Sequence, residues 1–158
     1  MPLTTDLKSS TAGEQLLALN NAFAEETSYL TPAEWHDLID RALYALAIDT
    51  DAFILAYDQS PREVSINYDW FKARYDSFLY IDRVVIAASA QGRGLGRRLY
   101  QHLIDLGRAA GFARIVCEVN SDPPNPVSLT FHDRLGFTPV GEQTLPNGKT
   151  VRYFEKPL

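Results

Sequence analysis

The feature that most limits the fold of this chain is a buried strand that runs directly into a glycine-rich turn and then a helix. The segment extends from Val84 to Leu99, and three of its residues are glycines: Gly92, Gly94 and Gly96. Such a turn points several backbone N–H groups and a helix N-terminus at one place, which suits an anion. No Asp or Glu occurs between residues 83 and 104, and this window holds four arginines: Arg83, Arg93, Arg97 and Arg98. We therefore interpret the turn as a binding site for a pyrophosphate group.

Length, charge and cysteine content narrow the class of protein. A chain of 158 residues favours a single domain over residues 1–158. The net charge of −5 argues against nonspecific nucleic-acid binding, and no apolar run approaches the ~20 residues of a membrane span. Cys117 is the only cysteine, so we expect a buried structural thiol and a reducing, cytoplasmic setting. No spacing of His, Cys or Asp predicts a metal site.

The hydrophobic pattern predicts alternating helices and strands. Ser10–Thr11 has the spacing of an N-cap for a first helix, and Thr31 with Glu34 has that of a capping box for a second. An Asn147-Gly148 pair predicts a hairpin near the end of the chain. Strands are predicted at Leu3–Leu7, Tyr44–Ile48, Ala52–Tyr57, Phe78–Ala87, Arg114–Val119, Phe137–Thr144 and Lys149–Lys156, and further helices over 67–75, before Gly111 and over 127–135.

The order of these elements predicts an α/β fold built on one mixed sheet. A helical crossover joins the central strand to the strand at Arg114–Val119, so those two strands are expected to be parallel. The remaining strands pair antiparallel at both ends, which gives six or seven strands with helices on both faces. Strict alternation along the central strand places Asp82 and Arg83 on opposite faces, where each requires a partner.

Two motifs in this order carry a family resemblance. Gln91 to Gly96 reads Gln-Gly-Arg-Gly-Leu-Gly and matches the pattern Q/R-x-x-G-x-G/A. Asn125 to Phe137 is similar to N-x-x-A/S-x-x-F-Y-x-x-x-G-F. Together they resemble the GCN5-related N-acetyltransferases (GNAT), most clearly over residues 78–140. A dinucleotide-binding fold also offers a strand, a glycine turn and a helix, but its glycine spacing differs.

The resemblance implies direct transfer of an acetyl group from acetyl-CoA to an amine, with no metal. It also implies a twisted sheet whose two central strands splay apart at their C-terminal ends to hold the thioester. The residues that it assigns to the cofactor lie along the central strand, in the glycine turn and on the later helix: Val84, Val85, Ile86, Gln91, Gly92, Arg93, Gly94, Leu95, Gly96, Arg97, Asn125, Ser128 and Phe131.

The catalytic residues depart from the family pattern. His132 stands where the resemblance expects a tyrosine acid, so it is either the acid here or marks a loss for which Tyr153 or water substitutes. The glutamate base of some members, near Tyr80, is absent, which leaves Asp82 and Glu118 as candidates. For Asp82 an ion pair with an arginine competes with a catalytic role.

The acceptor is expected to be the primary amine of a small molecule, an amino acid or a peptide, with a slight preference for cationic amines. Alternatives are a non-catalytic acyl-CoA binding or sensing module and a transferase for a longer acyl-CoA. The C-terminal hairpin is a candidate homodimer surface. Four aromatic residues before the central strand are expected in the core or in the wall of the acceptor site: Tyr68, Trp70, Phe71 and Tyr75.

Overall fold

The computed structural model describes residues 4–25, 27–62 and 64–158. The predicted strand at Leu3–Leu7 therefore falls partly outside the described residues. Within these ranges seven strands and five α-helices follow one another: β1 (Thr4–Asp6), α1 (Gly13–Ala22), α2 (Pro32–Arg41), β2 (Tyr44–Ile48), β3 (Ala52–Tyr57), α3 (Ile66–Lys72), β4 (Leu79–Ile86), α4 (Leu95–Ala110), β5 (Arg114–Asp122), α5 (Pro126–Arg134), β6 (Thr138–Thr144) and β7 (Thr150–Pro157).

All seven strands form one sheet in the order β1-β2-β3-β4-β5-β7-β6. Only β4 and β5 are parallel, and every other neighbouring pair is antiparallel. The mixed α/β sheet that the sequence predicts, parallel in the middle, is confirmed. The final hairpin inserts β7 next to β5 and leaves β6 at the edge.

The parallel pairing between β4 and β5 is short. It joins Leu79 to Ile115 and Tyr80 to Val116, and no further residues of the two strands are paired. Beyond this point the strands separate, so the sheet has a gap between its two central strands, which we call the notch. The resemblance had implied this splay, and the structure confirms it.

The start of α2 follows its sequence signal, whereas the start of α1 does not. The Thr31 side chain accepts from the Glu34 backbone N–H, and the Glu34 carboxylate accepts from that of Thr31, which completes the capping box. The predicted N-cap at Ser10–Thr11 is wrong. Ser10 Oγ instead accepts from the Ala12 backbone N–H, so it closes a local turn and α1 begins at Gly13.

A β-bulge in β4 corrects the predicted positions of Asp82 and Arg83. Leu55 of β3 pairs with Arg83, but the next residue, Ala56, pairs with Ile81, so Asp82 is the extra residue. The bulge breaks the alternation between faces, and the two side chains do not lie on opposite sides of the sheet. They form an ion pair with each other, with Arg83 Nε 2.7 Å from Asp82 Oδ2.

Two apolar clusters cover the two faces of the sheet. One joins the sheet to α1, α2 and α3 through residues such as Leu16, Trp35 and Phe71. The other joins it to α4 and α5, with Leu99 and Leu103 among the fully buried residues. Helices therefore cover both faces, as predicted. Within the described ranges, no helix has the length and apolar character needed to cross a bilayer.

Candidate functional site

A cavity of about 640 Å³ lies between the end of β4, the start of α4 and helix α5. We call it the loop cavity. Val84, Val85 and Ile86 form one wall, and Phe131 and Arg134 of α5 form another. The floor is the turn that precedes α4 together with the first residues of that helix, residues 91–97, which we call the glycine loop. An elongated ligand can therefore contact a strand edge and a helix N-terminus together.

Backbone N–H groups of the glycine loop are free to bind. Among the described residues, no N–H from Gly92 to Arg97 donates a hydrogen bond, and the first bonded N–H, that of Arg98, reaches the Gly94 carbonyl. Gly94 has φ +74°, which a residue with a side chain adopts at a cost, and a Cβ there would project into open space. The loop thus presents unpaired donors and a helix N-terminus to one place, as an anion site requires.

Most of the residues predicted to bind the cofactor line the loop cavity, and two do not. The Arg93 side chain turns away to Asp51, 3.2 Å from its carboxylate, and Ser128 lines the second cavity instead. Those that line the loop cavity are Val84, Val85, Ile86, Gln91, Gly92, Gly94, Leu95, Gly96, Arg97, Asn125 and Phe131. Their binding of a cofactor stays a prediction. Lining residues that were not predicted include Phe23, Thr27 and Arg134, of which only Arg134 carried a signal, a basic residue within the second motif.

A second cavity of about 460 Å³ lies in the notch, and we call it the notch cavity. Its walls come from α3, the loop before α2, the β6–β7 hairpin and the ends of β4 and β5. Thr27, Val84 and Asn125 line both cavities. A ligand that extends along β4 from the glycine loop therefore reaches the notch cavity at these three residues.

Glu118 places a carboxyl group in the notch cavity. It lies on β5, and its Oε1 accepts from the Tyr80 hydroxyl at 2.8 Å and from Asn67 Nδ2 at 3.0 Å. Burial penalises the charged form and raises the pKa of Glu118 to about 8, although the two donors oppose that effect. Tyr80 occupies the β4 position where the resemblance expected a glutamate, so the carboxyl group reaches the same place from the neighbouring strand.

Asp82 also lines the notch cavity, but Arg83 engages its carboxylate. The two side chains are only 8% and 10% exposed, and Arg83 Nη1 donates further to Asn20 Oδ1. Buried charges of this kind need their partners, and removing either one costs several kcal/mol. The ion pair that the sequence analysis weighed against a catalytic role for Asp82 is present, and the catalytic role itself stays a prediction.

His132 is buried and uses both ring nitrogens. Its Nδ1 lies 2.7 Å from the Ser128 carbonyl oxygen, and its Nε2 lies 2.8 Å from the Tyr100 hydroxyl. Burial lowers the pKa of His132, which keeps the imidazole neutral at pH 7. The His132 side chain is therefore part of the buried interior, and its part in catalysis stays a prediction.

Side chains from distant parts of the chain complete the notch cavity. The Tyr153 hydroxyl donates to Asn67 Oδ1 at 2.8 Å, which orients the amide that binds Glu118. Lys149, at the tip of the β6–β7 hairpin, adds a positive charge to the lining. Local sequence carried no signal for Asn67 or Lys149, because they share a cavity with Glu118 only through the pairing of β5 with β7 and the packing of α3.

The four aromatic residues before β4, three on α3 and Tyr75 just after it, lie in the core or pack against it. Tyr68 and Phe71 are fully buried, and Trp70 stacks on Tyr153 with ring centroids 4.2 Å apart. None of the four lines either cavity in the described part of the chain, which favours their interpretation as core over a substrate wall. Cys117 is buried as predicted, and desolvation raises the pKa of its thiol well above the ordinary value.

Comparison with known proteins shows which family this chain is similar to. Residues 17–137 match the model of the acetyltransferase (GNAT) family. A curated relative, the L-methionine sulfoximine/L-methionine sulfone acetyltransferase of Salmonella typhimurium, is 33% identical over 89 residues. That match spans 55% of this chain and only 50% of the relative.

Solved structures show the same fold at low sequence identity. An acetyltransferase of the GNAT family from Streptococcus pneumoniae has a TM-score of 0.73 at 17% identity, with 100% of this chain and 99% of that one covered. An aminoglycoside 6'-N-acetyltransferase complexed with coenzyme A has a TM-score of 0.72 at 14% identity, with 98% and 96% covered. At these identities the likeness supports the fold alone.

Proposed function

Since the chain belongs to the acetyltransferase (GNAT) family, we propose that it transfers an acetyl group from acetyl-CoA to the primary amine of a small molecule, an amino acid or a peptide. The observation that carries the proposal is the meeting of the two cavities at Thr27, Val84 and Asn125. One cavity offers anion-binding N–H groups and the other a carboxyl group. A thioester that passes along β4 would come within reach of a nucleophile held beside Glu118.

The residues of the loop cavity fit coenzyme A. Unbonded N–H groups between Gly92 and Arg97 suit its pyrophosphate, and Arg97 adds a positive charge. Beyond Tyr80, the edge of β4 that faces the notch has no partner on β5, so its backbone groups are available to the amide-containing arm. Acetyl-CoA, when bound, would supply the acetyl group as an activated thioester.

We assign Glu118 the role of general base. An alkylamine with a pKa near 10 is only about one part in 10³ neutral at pH 7, so it must lose a proton before it attacks. With a pKa raised to about 8, Glu118 is a stronger base than an ordinary carboxylate and still ionises near neutral pH. The carboxylate of Asp82 lies beside it but is held by Arg83, which favours a charge-balancing role for Asp82.

Among acceptors we propose amino acids and their analogues first. The Salmonella relative is named for two methionine analogues, which are small amino-acid derivatives. The notch cavity itself contains a group for each end of such a zwitterion, the Glu118 carboxyl group for the amine and the Lys149 ammonium for the carboxylate. A volume of about 460 Å³ suits a small molecule.

The decisive experiment mixes the purified protein, acetyl-CoA and a panel of amino acids, polyamines and peptides, and follows the release of free thiol. Turnover with at least one amine, with the acetylated product identified by mass spectrometry, is the expected result. Tight binding of coenzyme A without thiol release from any amine would instead favour the acyl-CoA sensor. Faster turnover with propionyl- or butyryl-CoA than with acetyl-CoA would favour a longer acyl donor.

A further inference from the structure

A buried tyrosine–histidine pair adjoins the notch on the side opposite Glu118. Tyr100 lies on α4 and is 2% exposed, and His132 lies on α5 and is 4% exposed. The Ser128 carbonyl oxygen can only accept, so His132 Nδ1, 2.7 Å away, carries the ring hydrogen. His132 Nε2 is then an acceptor, and the Tyr100 hydroxyl donates to it at 2.8 Å.

The surroundings keep both groups neutral until a proton arrives. The rings of Phe131, Phe137 and Phe154 pack around the imidazole. Burial lowers the pKa of His132, and burial together with nearby Cys117 and Glu118 raises the pKa of the Tyr100 hydroxyl. The Tyr100 hydroxyl therefore gives up its proton to His132 only as its oxygen receives another.

The pair nevertheless has access to the reacting groups. Tyr100 and His132 both line the notch cavity, as do Glu118 and Asn125, and Asn125 lines the loop cavity as well. Glu118 faces the cavity from β5, whereas Tyr100 and His132 reach it from the α4 and α5 side of the sheet. A nitrogen and a sulfur that meet in the notch would lie between these two sets of groups.

We infer, on the basis of the proposed function, that Tyr100 and His132 form a proton relay that moves a proton from the attacking nitrogen to the departing sulfur. Glu118 first takes one proton from the ammonium form of the acceptor and releases it to solvent. As the C–N bond forms, the nitrogen gives a second proton to the Tyr100 oxygen while the hydroxyl proton passes to His132 Nε2. As the C–S bond breaks, the transfer runs in reverse and the sulfur receives the proton, so both groups return to their starting state.

The relay also accounts for the departure from the family pattern at position 132. The family resemblance expects a tyrosine there, and an imidazole is shorter than a phenol. In this chain the hydroxyl comes from Tyr100, 2.8 Å beyond the imidazole nitrogen, so a phenolic oxygen is still present on the α5 side of the cavity. Tyr100 is then the catalytic residue, and His132 is a positioning and proton-holding residue that acts through it.

The test compares kcat and KM for four variants and the wild type, with coenzyme A affinity and melting temperature measured for each. Tyr100→Phe should lower kcat by about 100-fold or more, the usual range for a lost proton-transfer group, while KM changes less than about threefold. His132→Gln keeps an acceptor but cannot hold a proton, so it should lose kcat similarly. Tyr57→Phe is the matched control, because Tyr57 is a buried tyrosine with one hydroxyl bond, to the Leu38 carbonyl. It should keep full kcat.

A rescue separates the relay from simple packing. In the double variant Tyr100→Phe/His132→Tyr, a phenol extends from α5 itself, and kcat should recover at least about tenfold over Tyr100→Phe. A wild-type enzyme that turns over while Tyr100→Phe retains kcat within threefold would overturn the relay and leave the proposed function standing. Full kcat in His132→Gln would likewise remove His132 from the relay. If the wild type acetylates no amine, the proposed function fails and the relay fails with it.

Discussion

The two cavities differ in how the chain builds them. Apart from Phe23 and Thr27, the loop cavity uses two short continuous segments, 84–97 and 125–135, and its most distinctive groups are backbone N–H donors. The notch cavity combines side chains from Thr27, Asn67, Glu118 and Lys149, which are far apart in the sequence. The loop cavity can bind a ligand through backbone groups that are close in the sequence. The notch cavity depends on side chains that only the folded sheet brings together. It also predicts that damage to one cavity should leave the other intact.

The largest effect is expected in the glycine loop. Gly94→Glu would add a carboxylate where the unbonded N–H groups converge, and we expect coenzyme A affinity to fall by about 100-fold or more, the equivalent of two charge-assisted hydrogen bonds. Isothermal titration calorimetry measures the loss. Gly111→Glu is the matched control, because Gly111 also has a positive φ, +84°, with open space for a Cβ, but ends α4 away from both cavities.

Both variants should lose similar stability, since each forces a side chain into the left-handed region. Only Gly94→Glu should lose coenzyme A binding. Equal affinities in the two variants would show that the glycine loop does not bind the pyrophosphate and would remove the basis of the comparison.

In the notch cavity, Glu118→Gln should lower kcat by about 100-fold while coenzyme A affinity stays within twofold. The Glu118 side chain can accept a proton only in its ionised form. The wild-type rate should therefore rise as the pH passes the Glu118 pKa of about 8. An acceptor amine with a pKa below 6 is already neutral at pH 7 and does not need the base, so its rate should show neither this rise nor the loss in Glu118→Gln. Glu142→Gln, an exposed acid paired with Arg152, serves as the control and should keep its rate. An unchanged pH profile in Glu118→Gln would assign the base elsewhere.

A smaller effect should distinguish classes of acceptor. Lys149→Met should raise KM about tenfold for amino acids, the equivalent of one partly exposed ion pair, and leave KM for amines without a carboxylate unchanged. Steady-state kinetics with a matched pair, an amino acid and its decarboxylated amine, makes the measurement. Lys156→Met controls for loss of charge. Equal changes with both acceptors would show that Lys149 does not read a carboxylate.

The smallest effect concerns stability. The folded-state pKa of Glu118, about 8, lies above its ordinary value of 4.5, so the folded protein holds a proton that the unfolded chain releases. The wild type should therefore lose stability as the pH rises from about 4.5 to 8. Glu118→Gln has no ionisable group at this position and lacks this loss. Its free energy of unfolding minus that of the wild type, which is its advantage, should grow by on the order of 2–4 kcal/mol between pH 5 and pH 9. Urea unfolding at both pH values measures it, and an advantage that shrinks would contradict the raised pKa.

Local chemistry made much of the fold predictable. The Thr31 capping box, the glycine loop and the parallel order of β4 and β5 all follow from adjacent residues or from the order of elements. Two predictions, the N-cap of α1 and the alternation along β4, were wrong because the sequence pattern does not show which local hydrogen bonds form. Ser10 bonded within a turn rather than to a helix, and the bulge at Asp82 shifted an alternation that the sequence alone presents as regular.

The chemistry of the notch was less predictable because each group depends on a partner from another element. Glu118 was a candidate, but its raised pKa requires burial beside Tyr80 and Asn67. His132 was singled out from a motif, while Tyr100, its partner on α4, resembled an ordinary helix residue. Such pairs become visible only when packing brings the helices together.

The early end of the pairing between β4 and β5 has a consequence for how new specificities arise. The opening for the reaction follows from the path of the main chain, because the pairing of β4 with β5 ends after two residue pairs. Side chains that line the notch cavity from loops, such as Thr27 and Lys149, can therefore change while the line along which donor and acceptor approach is kept. Because the parallel pairing of β4 with β5 ends after two residue pairs, the main chain fixes the opening for the transfer, and the side chains around it are left to determine the acceptor.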